Sequence, residues 1–287
     1  MTQLEALMLD KRRVRTQFDA AAASYVQSAV LQAEVRRRLL ERLQWILLNP
    51  EHILDAGSGP GEAIPGLVKR FKKARVTALD CAPAMLARIG RTAGWWRRPA
   101  RVCADLEQMP LAPASVDLVF SNLTLQWCNQ PDAAFAEMRR VLRPEGLVMF
   151  TTLGPDTLGE LRTAWRQVDA HPHVSTFIDM HDIGDALVRA GFADPVMDRE
   201  MITLTYEQVR DLLADLRGIG AVNATQGRRR GLTTPRQLKA LEAAYEGFRD
   251  EQRRLPASYE VIYGHAWVPD APPPGTSRSF IPIQVQN

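Results

Sequence analysis

Three aspartates close three short apolar runs: Asp55 in "HILDAG", Asp80 in "RVTALD" and Asp105 in "ARVCAD". The first is followed by Gly57, Gly59 and Gly61 in "ILDAGSGPGEAIPGL". Glycines at that spacing form a tight turn that a ligand can approach, because no Cβ stands in the way. A dinucleotide turn spaces its glycines as G-x-G-x-x-G. Here Glu62 occupies the place of the third glycine, and Gly61 falls one residue short of it. A glutamate at the head of the next helix disfavours phosphate, and no Gly-Lys-Ser/Thr follows to make a phosphate-binding loop.

A cationic ligand suits these acids better. S-Adenosyl-L-methionine carries a sulfonium, an amino group, a carboxylate and an adenosine. Asp55 then faces the amino group, directly or through water. Asp80, about 20 residues beyond the turn, takes the ribose hydroxyls. Asp105 accepts from the adenine amino group. Cys81, Met85 and Leu106 supply apolar walls, and Asn122, at the end of "VDLVFSN", touches the cofactor. Gln126 and Trp127 follow that strand on the edge that faces the methyl group. An acid at a single strand end often only caps a helix. Three at successive strand ends, beside a glycine turn, argue for a site.

The elements that must position these residues alternate. Residues from about 11 to 48 have the apolar spacing of a helix, stopped by Pro50. Strands follow at "HILDAG", "RVTALD", "ARVCAD", "VDLVFSN" and "LVMFTTL", with helices between them and "RPEG" as a turn before the fifth. This rhythm predicts βαβ units and a mostly parallel sheet. Beyond residue 153 it changes. Helices are predicted over "DTLGELRTAWRQVDA" and over "MHDIGDALVRAGF", the latter stopped by Gly191. "PVMDREMITLTY" alternates as a strand does, two more helices follow, and "SYEVIYGHAWVP" is a last strand. The domain reading is an N-terminal helical segment over 1–48 and one α/β domain over 49–268. That domain includes a helical cap at about 155–257, and a loose proline-rich tail occupies 269–287.

Composition bounds the function. The 36 basic and 33 acidic residues leave a formal charge of +3, too small to imply nucleic acid. Arginines do cluster, at 36–38, 97–98 and 228–230, and such runs are often no more than solvated surface. Cys81, Cys103 and Cys128 have no metal-ligand spacing, and their odd number fits reduced thiols in the cytoplasm. The first residues lack the apolar core of a signal peptide. No apolar run of about 18 residues is present to span a membrane. The expectation is a cytoplasmic protein with neither metal, membrane nor nucleic acid.

The ordered set "LDAGSGPG", "VTALD", "CADLEQMPL", "DLVFSNLTLQW" and "LRPEGLVMFTTL" resembles the class I S-adenosylmethionine-dependent methyltransferases. That resemblance implies a Rossmann-like α/β fold: a seven-stranded sheet whose last strand is antiparallel. The flanks narrow it. "RRVRTQFDAAAASYVQSAVLQ", "FTTLGPDTLGELRTAW", "HPHVSTF", "LRGIGAVNA" and "GRRRGLT" resemble the malonyl-[acyl-carrier protein] O-methyltransferases of biotin synthesis, nearly to residue 268. Members of that family methylate the free carboxyl of a malonyl thioester on an acyl carrier protein. The product primes pimeloyl synthesis.

The resemblance places Tyr25 over the methionine part of the cofactor and the methyl group. Ser58 stands where the family often has cysteine, and it too can donate a hydrogen bond. Methylating a carboxylate already ionised at pH 7 needs no general base, metal or covalent nucleophile. The cap must instead hold an anion. Tyr25, Trp127, His173 and Arg228 are the candidates for orienting the substrate, and Arg228, Arg229 and Arg230 for meeting an acidic carrier. Alternatives are a small-acid or quinone-ring methyltransferase, and an arginine hydroxylase of the complex I assembly type on the same fold.

Overall fold

The computed structural model describes residues 8–90, 98–228, 231 and 233–270. Its strands are β1 (His52–Ala56), β2 (Arg75–Asp80), β3 (Ala100–Cys103), β4 (Val116–Ser121), β5 (Leu142–Leu153), β6 (Ala193–Tyr206) and β7 (Leu255–Trp267). They form one seven-stranded sheet in the order β3-β2-β1-β4-β5-β7-β6. The first five pair in parallel, and β7 runs antiparallel to both β5 and β6. The central strands dictate this. Ile53, Leu54 and Ala56 in β1, and Leu118, Val119 and Phe120 in β4, are all fully buried. Strands apolar on both faces need helices on both faces, the situation of parallel sheets.

One layer contains α3 (Val30–Leu43), α4 (Ile64–Arg70) and α7 (Gly159–Arg166), which set Val35, Leu39, Leu67 and Trp165 into the core. The opposite layer contains α6 (Pro131–Val141) and α8 (Met180–Arg189), which bury Phe135, Met138 and Leu187. As expected, α8 stops before Gly191, which has φ +87°. The chain runs from β1 outward to β3 and returns to β4 on the other side of β1. Strand order therefore reverses between β1 and β4, and a crevice opens at their carboxyl ends.

Three details depart from the sequence reading. The N-terminal helix is not continuous over 11–48. It divides into α1 (Lys11–Ala21), α2 (Tyr25–Ser28) and α3. Ser24 Oγ lies within hydrogen-bonding distance of the carbonyls of Ala21 and Gly218, at 3.2 and 3.0 Å, a local and tertiary bond that competes with a straight helix. "RPEG" is not a free turn but a bulge inside β5. Val116 pairs with Leu142 and Leu118 with Leu147, and Glu145 takes φ +60° to absorb the extra residues. Finally, the span 155–257 is not all cap. β6 is the edge strand of the sheet, and α8 packs on α6 beneath it. That span also holds α7, which belongs to the first layer, and α9 (Val209–Gly218) and α10 (Pro235–Tyr245). Residues 271–287 of the tail lie outside the described residues.

Candidate functional site

The glycine turn is pinned to β2. The amides of Gly57 and Ser58 both donate to Leu79 O, at 2.8 and 3.0 Å. The Gly59 amide donates to one oxygen of Asp80 at 2.8 Å, and the Ala82 amide to the other at 2.8 Å. Gly57 has φ +76°, and a Cβ there would fall 2.2 Å from the Thr124 side chain. Gly59 has φ +54°, and the nearest atom to a Cβ would be Cε1 of Tyr25, at 4.0 Å. Gly61 serves a different end. Its Cβ would meet Ile64 and Ile89 at 3.0 Å, so it permits packing rather than ligand approach.

Above the turn lies a recess of about 720 Å³, open in part to solvent. Gly57, Gly59, Asp80, Cys81, Met85, Asp105, Leu106 and Asn122 all line it. Asp55, Ser58 and Gly61 do not. Asp55 is 2% exposed, and its Oδ2 is buried without a hydrogen-bond partner. Burial, with the charge of Asp80 adding to it and that of Arg36 opposing, pushes the Asp55 carboxyl up to about 7. Burial also raises Asp80, against the hydrogen bonds from Ala82 and Gly59. Two crowded acids beneath a turn with no Cβ make this end of the recess acidic, with Asp80 on its wall and Asp55 buried behind it rather than facing a ligand as the sequence reading expects. S-Adenosylmethionine fits the lining: Asp80 for its ribose, and Cys81, Met85 and Leu106 as apolar walls for its adenine.

The two thiols on the recess wall are neutral. Burial pushes the Cys81 and Cys128 thiols up to about 12, so they act as small apolar groups. Asp105 is already engaged. It accepts from Lys11 Nζ at 3.2 Å and from the Glu107 amide at 3.0 Å.

A second cavity, about 990 Å³ and also partly open, adjoins the first. The two share Phe18, Tyr25, Leu123 and Trp127. Phe18 meets Trp127 edge-on with ring centroids 5.1 Å apart. Tyr25 and Trp127 thus stand on the wall between the two spaces. Gln126 lies on the far side only. It lines the second cavity, donates to Leu123 O at 2.7 Å and does not line the cofactor recess expected for it.

The second cavity is largely apolar, and among the described residues no arginine or lysine lines it. His173 does line it. Its Nε2 lies 2.8 Å from Asp169 Oδ1, and its ring stacks on Trp165 at 3.7 Å. Asp169 also accepts from the His171 amide and from Gln237 Nε2. Arg228 is not brought to the cavity. Its Nη1 donates to Thr225 O at 2.9 Å, and its Nη2 faces Asp10 at 3.9 Å, so it fastens the cap to the head of α1. Arg229 and Arg230 lie outside the described residues. The run 36–38 is no bare basic patch either: Arg37 pairs with Glu34 and Glu41, and Arg38 with Glu34 and Glu200.

The sequence reading missed the strap that α1 makes over both spaces. Leu9 and Asn129 exchange two hydrogen bonds at 2.8 and 3.0 Å, the Asp10 amide donates to Ala224 O at 2.8 Å, and Lys11 pairs with Glu107 at 2.8 Å. Lys11, Val14 and Phe18 enter the recess from this strap. The signal for it is the i, i+3, i+7 spacing of Lys11, Val14 and Phe18, which sets all three on one face of a helix. Among the described residues, no helix is long and apolar enough to cross a membrane. No group of three or more His, Cys, Asp or Glu among them is placed to hold a metal.

Comparison with known proteins extends the geometry. A family model described as a methyltransferase domain matches residues 54–150. The malonyl-[acyl-carrier protein] O-methyltransferase of Methylovorus sp. (strain MP688) is 54% identical over 274 residues, covering 93% of this chain and 92% of that protein. The protein of the same name from Laribacter hongkongensis is 54% identical over 279 residues, covering 94% and 93%. Among solved structures, the YcgJ protein of Bacillus subtilis superposes with a TM-score of 0.57 at 13% identity, covering 82% of this chain and all of that one. Phosphoethanolamine N-methyltransferase 2 of Haemonchus contortus, in complex with S-adenosyl-L-methionine, gives 0.53 at 16% identity, covering 88% and 57%. At those identities the two structures bear on the fold alone.

Proposed function

The chain belongs to the malonyl-[acyl-carrier protein] O-methyltransferases, and we propose that it esterifies the free carboxylate of a malonyl thioester carried on acyl carrier protein. S-Adenosyl-L-methionine is its methyl donor. The observation that carries the reading is the shared wall of Phe18, Tyr25, Leu123 and Trp127 between a cofactor recess and a second, largely apolar cavity. When bound, the cofactor supplies a methyl group made electrophilic by a sulfonium.

The chain's own work is alignment and the exclusion of water. A malonyl carboxylate is already ionised at pH 7, so no residue need take a proton from it. Tyr25 and Trp127 confine the space in which carboxylate and methyl meet, and effective concentration does much of the rest. Leu153, Leu158 and Leu161 keep the second cavity poor in water. His173, braced by Asp169 and Trp165, is the basic group nearest to hand for orienting the carboxylate. The ester so formed then primes pimeloyl synthesis. The names of the relatives leave the quinone-ring and arginine-hydroxylase alternatives unfavoured.

The test is incubation of the purified protein with methyl-labelled S-adenosylmethionine and malonyl-loaded carrier protein. Base-labile label on the malonyl group is expected. Label on another acid, with none on the malonyl carrier, overturns the substrate.

A further inference from the structure

We propose that Leu158 sets which acyl chain the second cavity accepts, admitting a malonyl thioester and refusing longer diacids. The inference rests on the acceptor reading above. Two of the leucines that line this cavity, Leu123 and Leu158, have left-handed backbone, with φ +50° and +53°. A bulky side chain seldom adopts that conformation, and where it does the surrounding structure holds it there. Both residues follow the carboxyl ends of neighbouring strands, β4 and β5. Leu123 lines both spaces, whereas Leu158 lines only the second. Leu123 thus belongs to the wall that faces the methyl group, and Leu158 to the space left for the rest of the acyl chain.

The backbone at Leu158 is held against its strain. Its amide donates to Ser258 O in β7 at 2.7 Å. The loop before it is tied down by Glu260. Among the described residues three acids are buried, Asp55, Asp80 and Glu260, and only Glu260 stands away from the glycine turn. Its Oε2 accepts from the Asp156 amide at 2.9 Å, and its Oε1 accepts from Arg199 Nη1 at 3.3 Å. Its carbonyl accepts from the Gly154 amide at 2.9 Å, and its amide donates to Thr157 Oγ1 at 3.1 Å. A Cβ at Gly154 would fall 2.5 Å from the Glu260 carboxyl carbon, so the loop is shaped around that side chain. Neither Gly154, Asp156 nor Thr157 lines the cavity. What the clamp delivers there is the isobutyl group of Leu158.

A fixed apolar stop suits selection by chain length. One methylene joins the malonyl carboxylate to its thioester carbon, and each further methylene has to find room beside Leu158. A single methylene in an apolar pocket is worth roughly 10- to 200-fold in discrimination. Glu260 touches no ligand in this account; it is a positioning residue that acts through Leu158.

The test is kcat/KM for methyl transfer to carrier protein loaded with malonyl, succinyl or glutaryl groups, with calorimetric affinity for S-adenosylhomocysteine as the measure of an intact fold. The unsubstituted protein should favour malonyl over glutaryl by at least about 10-fold. Leu158→Gly removes the side chain and accepts the left-handed backbone without strain. It should raise kcat/KM for glutaryl by about 10-fold or more and leave cofactor affinity within about twofold. Leu158→Met, of similar volume, should keep the original preference. Glu260→Gln, which weakens the hold on the Asp156 amide, should move the malonyl-to-glutaryl ratio the same way by roughly threefold. No gain on glutaryl in Leu158→Gly, an equal fall on all three acids, or an unsubstituted protein that labels glutaryl as readily as malonyl overturns the role of Leu158. An unchanged ratio in Glu260→Gln overturns that of the clamp. If the unsubstituted protein labels none of the three acids, the acceptor reading itself fails and the inference falls with it.

Discussion

The two cavities on either side of the Tyr25–Trp127 wall are built by opposite means. The cofactor recess is made of strand ends and one turn, and backbone amides lock it: Gly57 and Ser58 to Leu79, Gly59 and Ala82 to Asp80. The second cavity is assembled from α2, α7, the loop around His173 and α9, segments that meet only in the fold. Its polar groups are held by side chains, as Asp169 and Trp165 hold His173. Backbone-locked sites tolerate little and bind one ligand class. Side-chain-built sites can be retuned, so substitutions in the two should separate into losses of cofactor binding and losses of substrate handling.

The largest expected effect is at the turn. Gly57→Ala must place a Cβ 2.2 Å from Thr124 at φ +76°. It should cost about 2 kcal/mol or more of stability and nearly all cofactor affinity, as measured by thermal melting and calorimetry. Next is Asp80→Ala, which removes the expected ribose acceptor and frees the Gly59 and Ala82 amides. Cofactor affinity should fall by roughly 100-fold, two lost charge-assisted bonds. Unchanged binding refutes the ribose role.

His173→Gln tests the other side. It should raise KM for the malonyl carrier by about tenfold, one oriented charge-assisted contact, with cofactor affinity unaltered. A matching loss of cofactor affinity would blur the division between the cavities.

A pH effect should appear at Asp55. Its carboxyl titrates at about 7 in the fold against about 3.9 in an unfolded chain. Between those values the folded protein holds the extra proton, so stability without ligand falls as pH rises. Cofactor affinity should move the other way, rising from pH 6 to 8 as the carboxylate forms. Asp55→Asn should flatten both curves. The smallest effect is expected at Arg228→Ala, which unties the cap from Asp10, a pair 3.9 Å long, and should change KM by no more than about threefold.

The contrast also explains what could be read from the chain before its fold. Gly57, Gly59, Asp80 and Asp105 announce themselves because each ends or follows an apolar strand, and strand ends in a parallel sheet converge on one crevice; Asp55 has the same signal but lies buried behind the recess. The sheet followed for the same reason. Arg228 and Gln126 misled because their surroundings depend on distant segments: Arg228 turns to Asp10, and Gln126 to Leu123. The breaks at Ser24 and Ala29 in the N-terminal helices were invisible, since apolar periodicity continues across them while Ser24 bonds to Gly218, far along the chain. Lys11 and Arg36 looked like surface charge. Only the packing of α1 and α3 over the crevice turns them inward.

The central claim is that a methyl group passes from the recess to the second cavity across the wall of Tyr25 and Trp127. It is tested most directly with an S-adenosylhomocysteine analogue whose sulfur is replaced by nitrogen bearing a carboxyethyl arm. Such a ligand fills both spaces at once. It should bind at least about 100-fold more tightly than S-adenosylhomocysteine, as bisubstrate ligands gain from joining two sites, and Trp127→Ala should erase that gain. Affinity no better than that of S-adenosylhomocysteine would contradict the account.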